Sequence, residues 1–348
     1  MTLDIIVPHY KEPWSDGKKL FDILALQRGV SFSDFRVILV NDGGENDPYP
    51  LIVRQKYPYE VVCLEIPHKG VSAARNKGLD YSRAEWVMFC DFDDTFTSIY
   101  SIRGIMDVLE DNNHDLFWTP LYMEISEKQN RQIRDDFNLV FIHGKIFRRR
   151  FLIEHGIKFC ESLYFSEDTA FNRVVDMEIE TGRVGKISNE IIPYVWAYRP
   201  GSATTDPKNV WSNHVGLFRR QKYVAEEYQR RGLDKEHDAM VIRAMCDIWV
   251  ILNRSDLSND RSAFIEESEE FLRNHSIDSE VNIDLVKKAY NAALAEMGVI
   301  PKVLPKYGVF LKWMKTKMKG CEADEGPQKH LSDEHQGLAD QHLGSGRT

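Results

Sequence analysis

The chain has 348 residues, 43% apolar and 28% charged, with a formal net charge of −9. This is the composition of a globular protein with a sizeable core, in one large domain or two smaller ones. The excess of acid excludes a broad attraction to nucleic acid, and no apolar run approaches the length of a membrane span.

Five cysteines, Cys63, Cys90, Cys160, Cys246 and Cys321, are scattered without a C-x-x-C pair. That pattern predicts a reducing compartment, and the apolar or strand-like surroundings of Cys63, Cys90 and Cys160 predict that those three are buried thiols. Met1-Thr2-Leu3-Asp4 runs straight into an apolar stretch, with no secretory leader, so a cytoplasmic protein is expected.

In chain order, Leu3 to Val7 reads as a buried strand closed by Pro8, and Ser15 to Leu26 as a helix. Arg36 to Val40 is a second strand, Pro50 to Tyr57 a short helix, and Val61 to Ile66 a third strand. Gly70 to Ser82 is a helix, Trp86 to Cys90 a fourth strand, Ser98 to Asn112 a helix, and Asp115 to Met123 a strand. Strands alternating with helices at short spacing predict an α/β fold with a mostly parallel sheet covered on both faces.

In such a sheet the loops after the strands share one rim, where ligands bind. Pro8 to Glu12 follow the first strand, and Asp42, in a glycine-rich turn, follows the second. Lys69, Arg75 and Asn76 follow the third, and Asp91, Asp93 and Asp94 the fourth. Three carboxylates this close repel one another unless a cation joins them, and their oxygens suit a hard ion such as Mg2+ or Mn2+. A solvated acidic turn accounts for the same residues equally well. A helix start beside a metal and Arg75 would make a seat for a diphosphate. No G-x-G-x-x-G or P-loop motif explains the site.

The set Ile6-Val7-Pro8-His9-Tyr10, Val40-Asn41-Asp42-Gly43-Gly44, Lys69 to Leu79 and Asp91-Phe92-Asp93-Asp94 resembles family 2 of the GT-A glycosyltransferases, in order and spacing. The likeness covers roughly the first 205 residues. It implies a GT-A, Rossmann-like, mostly parallel mixed sheet flanked by helices and followed by a mainly helical C-terminal segment. It also implies a nucleotide-diphospho-sugar donor, a UDP-sugar first, with inversion at the sugar and a role in surface polysaccharide or glycoconjugate synthesis. By motif position Pro8, Tyr10 and Glu12 would line the nucleoside pocket, and Asp42 would accept from the base. Arg75 would face the diphosphate, Asp91 the ribose or sugar, and Asp93 would bind Mn2+ or Mg2+. Lys11 and His68 depart from the family's usual asparagines, which leaves the donor's identity open.

Further on, Phe147, Phe151 and Leu152 fit one helix face, with the neighbouring arginines turned outward. Ser166 is placed to cap a helix whose first turn holds Glu167 and Asp168. In the family a Glu-Asp pair follows a K-x-F-R-R helix and a G-I-x-F strand, here Lys145 to Arg149 and Gly156 to Phe159. That likeness assigns the general base to Asp168, and the acceptor side to Glu167 and His143. Glu190 to Tyr198 reads as a strand. Arg199 and a mobile turn at Gly201 resemble a segment that closes over donor phosphates.

Residues 206–319 read as mostly helix, including Arg261 to Asn274 and Val281 to Met297, and residues 320–348 as a polar, disordered tail. The first boundary therefore falls near residue 205. Lys306 to Lys319 carries five lysines and no acid, opposite Tyr307, Phe310, Leu311, Met314 and Met318. It is a candidate for peripheral contact with an anionic membrane on the cytoplasmic side, although a helix docked on its own protein explains it better.

Two rivals stand beside the glycosyltransferase. A nucleotidyltransferase would need a glycine-rich, basic loop after the first strand, which Pro8 to Pro13 is not. A catalytically inactive scaffold that binds a sugar nucleotide would not need Asp42, Asp91, Asp93 and Asp168 together.

Overall fold

The computed structural model describes all residues except 111–112, 126–129, 181, 188–191, 200–206, 255–259, 276, 278–281 and 320–348. The expected turn at Gly201 and the expected tail lie outside the described residues. Two compact units are present, Met1–Glu227 and the chain from Tyr228 onward.

In the first unit, β1 (Leu3–His9), α1 (Trp14–Ala25), β2 (Phe35–Asn41), α2 (Tyr49–Gln55), β3 (Glu60–Glu65), α3 (Val71–Tyr81) and β4 (Trp86–Phe89) alternate as expected. Next come β5 (Thr95–Phe96), α4 (Ser101–Leu109), β6 (Leu116–Trp118), β7 (Leu121–Glu124), β8 (Arg131–Arg134) and β9 (Lys145–Arg148). Then follow α5 (Arg149–Glu154), α6 (Glu167–Glu178), β10 (Val184–Lys186), β11 (Tyr194–Trp196) and α7 (Val210–Arg230), within which the second unit begins.

Seven strands form one sheet in the order β10-β6-β9-β4-β1-β2-β3. The run β4-β1-β2-β3 is parallel throughout, and β9 lies antiparallel between β4 and β6. A second sheet has the order β5-β11-β7-β8. Continuous apolar strands arise because both faces of the large sheet are covered. Leu3, Ile5 and Val7 of β1 pack on the side of Leu20, Phe21, Ile102 and Ile105. Ile6 packs on the opposite side, with Ala74, Leu79, Phe147 and Phe171.

Three local expectations change. The strand predicted from Asp115 to Met123 is broken by Thr119-Pro120, where the chain leaves the large sheet for the second one. Phe147, assigned to a helix face, lies in β9, where Ile146 and Phe147 feed opposite cores at a period of two. Only Phe151 and Leu152 of that trio are helical. Gly156 to Phe159 is not a strand. The Asn76 amide takes the place of a strand partner: its Nδ2 donates to the Phe159 carbonyl and its Oδ1 accepts from the Phe159 N–H, both at 2.9 Å.

At the amino end of β1, opposite the rim, Asp4 is fully buried beside Arg36. It accepts from Arg36 Nε at 2.7 Å, from the Ser82 hydroxyl, and from the N–H groups of Arg83 and Ala84. Burial opposes its charge, but these donors hold its pKa below the ordinary carboxylate value. Asp4→Ala leaves Arg36 and the start of the α3–β4 link without their acceptor. It should cost about 3–5 kcal/mol in urea unfolding at pH 7.

The second unit contains α8 (Asp234–Leu252), α9 (Ser262–Asn274), α10 (Ile283–Glu296) and α11 (Tyr307–Lys319). On α11 Phe310, Trp313 and Met314 are buried, and rings of Trp249 and Tyr290 pack on Phe310. The apolar face is thus taken up within the unit, and Lys312 and Lys315 stay exposed. No described helix is long and apolar enough to cross a membrane.

Candidate active site

Because β1 to β4 run parallel, their carboxyl ends open on one rim. A cleft of about 320 Å³ lies there, lined by Pro8, Tyr10, Glu12, Asp42, Arg75, Asp91, Asp93, Glu167 and Arg199. All nine were singled out in the sequence. His9, His68, Gly70, Val71, Ala74 and Phe92 complete the lining.

The glycine turn after β2 is required by close approach. A Cβ on Gly44 would stand 1.2 Å from the Tyr10 carbonyl oxygen. The turn carries Asp42, which the likeness assigned to a base. Its Oδ1 accepts from the Lys69 N–H, and its Oδ2 from the Gly70 N–H and from His68 Nδ1, each at 2.8 Å. Asp42 therefore also fastens the segment that leads into α3. Gly70, with φ +95, turns the chain so that the first residues of α3 face the cleft. An eleven-residue helix that starts there directs free N–H groups and a positive dipole end at any anion in the cleft.

Arg75 sits at the centre of the acidic groups and is 2% exposed. Nη1 donates to Glu167 Oε1 at 3.1 Å and Asp168 Oδ1 at 2.7 Å, and Nη2 donates to Asp91 Oδ1 at 2.9 Å. Arg75 was expected at the diphosphate; here both of its terminal nitrogens are engaged by carboxylates. Burial works against its charge, but Asp168, Asp91 and Glu167 hold the pKa above even the usual arginine value.

The three aspartates divide. Asp91 keeps a lowered pKa despite burial, because Arg75 and His143 stand against it. His143, expected on the acceptor side, is buried behind Asp91 and donates from Nε2 to its Oδ2 at 3.0 Å. Burial disfavours the imidazolium, yet the two carboxylates of Asp91 and Asp94 push its pKa up to about 9. Asp94 is 1% exposed, takes the Tyr194 hydroxyl, and accepts from the Ala197 N–H at 2.8 Å. Burial, with the charges of Asp91 and Asp93, pushes it up to about 8. Asp94 is therefore a buried tie between the fourth strand's loop and β11, a role the sequence did not indicate. Asp93 faces the cleft. Its pKa is raised by burial and by Asp91, and Arg199 opposes this from 3.3 Å.

Ligand atoms of Asp91, Asp94 and His143 lie within 4.8 Å of one another, a donor set a divalent cation accepts. The His143 nitrogen there carries the proton shared with Asp91. Asp91 and Asp93 are the two of the three aspartates that line the cleft.

Ser166 does not cap α6. It has φ +65, and its side chain makes no cap hydrogen bond. It accepts instead from Arg220 Nη1 at 2.9 Å. After this left-handed residue Glu167 lines the cleft, and the neighbouring Asp168 side chain is 15% exposed. Asp168 Oδ2 accepts from the Ile142 N–H at 3.2 Å. Glu167 is raised above the ordinary glutamate value by burial and the Asp168 charge, with Arg75 opposing. Arg199 Nη1 donates to Glu12 Oε1 at 3.2 Å, and with Asp93 these residues form a charged rail along the cleft.

A sequence profile of glycosyl transferase family 2 matches residues 4–171. The chain is 28% identical over 204 residues to the minor teichoic acid biosynthesis protein GgaA of Bacillus subtilis (strain 168), covering 52% of this chain and 45% of that protein. To GgaB of the same organism it is 26% identical over 172 residues, covering 48% and 18%. The chain thus spans less than half the length of these curated relatives. S. aureus TarS 1-349, solved in complex with UDP-GlcNAc, superposes with a TM-score of 0.53 at 19% identity, covering 92% of this chain and 89% of that one. That likeness shows the fold, which is GT-A. Together with the motifs on the rim, the profile match establishes that residues 4–171 of the chain belong to glycosyl transferase family 2.

Proposed function

We propose that the chain is an inverting glycosyltransferase that moves a sugar from a nucleotide-diphospho-sugar, a UDP-sugar first, to an acceptor hydroxyl. The observation that carries this reading is the single rim on which Tyr10, Asp42, the start of α3, Asp91, Asp93 and Arg199 meet. It offers an aromatic wall and carboxylate for a base, backbone N–H groups and a cation for a diphosphate, and acidic oxygens for a metal. The names of the B. subtilis relatives point to teichoic acid, and TarS was solved with UDP-GlcNAc. A polyol-phosphate acceptor and UDP-GlcNAc are therefore the first pair to test.

Asp91 and Asp93 would hold Mn2+ or Mg2+, which supplies positive charge to a diphosphate. The rest is done by the chain. The α3 N-terminus and Arg199 bind the diphosphate, and Arg75 holds Asp91, Glu167 and Asp168 in place. Asp168 takes the proton of the acceptor hydroxyl as its oxygen bonds to the anomeric carbon. The bond to the diphosphate breaks on the opposite face, and the electron pair leaves with it.

Calorimetry of UDP binding tests the donor site. In Mn2+, Asp93→Ala should weaken binding by about tenfold, or about 1.4 kcal/mol. In EDTA the variant and the parent should bind alike. Equal loss in both buffers would remove Asp93 from the metal site.

A further inference from the structure

One ring in the cleft already makes the contacts that a nucleobase needs. The His68 imidazole stacks on Tyr10 with centroids 4.0 Å apart and planes 7° from parallel. Its Nδ1 lies 2.8 Å from Asp42 Oδ2. A heteroaromatic ring with an N–H, stacked on an aromatic wall and donating to a carboxylate, is the chemistry of a bound uracil. Two rings cannot share one face of Tyr10, and Asp42 Oδ2 already accepts from the Gly70 N–H as well.

We propose that His68 is a resident substitute for the base, occupying the place on Tyr10 and Asp42 that the donor nucleotide takes when it binds. This rests on the nucleotide-sugar reading above and adds a residue that sets donor affinity. The His68 side chain is 54% exposed, so it can swing into solvent by rotation about its own bonds. Its backbone need not follow. Asp42 holds the N–H groups of Lys69 and Gly70, and the His68 N lies 2.8 Å from where a Cβ on Gly43 would stand. The competition is therefore between one side chain and the ligand, and removing the side chain raises the fraction of chains ready to bind.

The test is calorimetry of UDP with the full chain in Mn2+, comparing the parent with His68→Ala and Tyr10→Ala. His68→Ala should bind UDP about three- to tenfold tighter, as expected for release of a competing internal contact. Tyr10→Ala should bind it more weakly. In the parent, the His68 ring proton signals should move on saturation with UDP toward those of a solvated imidazole. Unchanged or weaker binding by His68→Ala overturns the proposal, because His68 would then be inert or part of the wall that holds the base. Absence of binding by all three proteins, to UDP and to GDP alike, would instead overturn the nucleotide-sugar reading.

Discussion

Asp168→Asn is expected to lower sugar transfer by about 10²–10⁴-fold, the range for loss of a general base, while UDP affinity stays within about twofold. The substitution keeps the shape of the side chain and an oxygen for the Ile142 N–H, 3.2 Å away, or for Arg75, 2.7 Å away. It removes the charge that would accept a proton. The measurement is kcat for transfer beside calorimetry of UDP. Glu167→Gln separates the two neighbours. Glu167 lines the cleft and shares Arg75 Nη1, so its loss should act on acceptor KM more than on kcat. If Glu167→Gln abolished transfer and Asp168→Asn were nearly as fast as the parent, the roles would be reversed.

The rim was legible from sequence because it depends on backbone direction alone. Apolar runs of four or more residues that alternate with helices, each run ending in polar residues, fit parallel strands and place those residues at one edge. Less legible were the partners each carboxylate takes. Asp91, Asp93 and Asp94 look equivalent in the chain, but only the fold brings Tyr194 and the Ala197 N–H onto Asp94 and His143 onto Asp91. These contacts span 52 to 103 positions, beyond the reach of any local pattern. β9 was missed for a related reason. Four residues are too short to show a period, and their insertion between β4 and β6 is a tertiary fact. His68 left a faint signal in the sequence, as a histidine where the family favours asparagine.

Arg75→Met is expected to destabilise the first unit by about 3–5 kcal/mol at pH 8, the cost of leaving buried charges without their partner. Methionine keeps much of the length and apolar stem of the side chain. It leaves Asp91, Glu167 and Asp168 facing one another without the cation that now stands 2.7 to 3.1 Å from each. The sign of the pH dependence follows. In the parent, Asp91 is held below its ordinary pKa, so its contribution is present above the unfolded carboxylate pKa and is lost as pH falls through the folded value. In the variant, burial and mutual repulsion raise the carboxylates, and protonation then relieves the folded state. The gap between parent and variant should therefore narrow as pH falls from 8 toward about 5, where raised carboxylates take up protons. Arg75→Lys should fall between the two, since one ammonium cannot bridge three acceptors as a planar fork does. Urea unfolding at the two pH values reads this directly. A loss that is small at pH 8, or that grows as the pH falls, would mean that the acidic groups do not depend on Arg75. The same side chain that orders the proposed base would then have to be assigned to the donor alone.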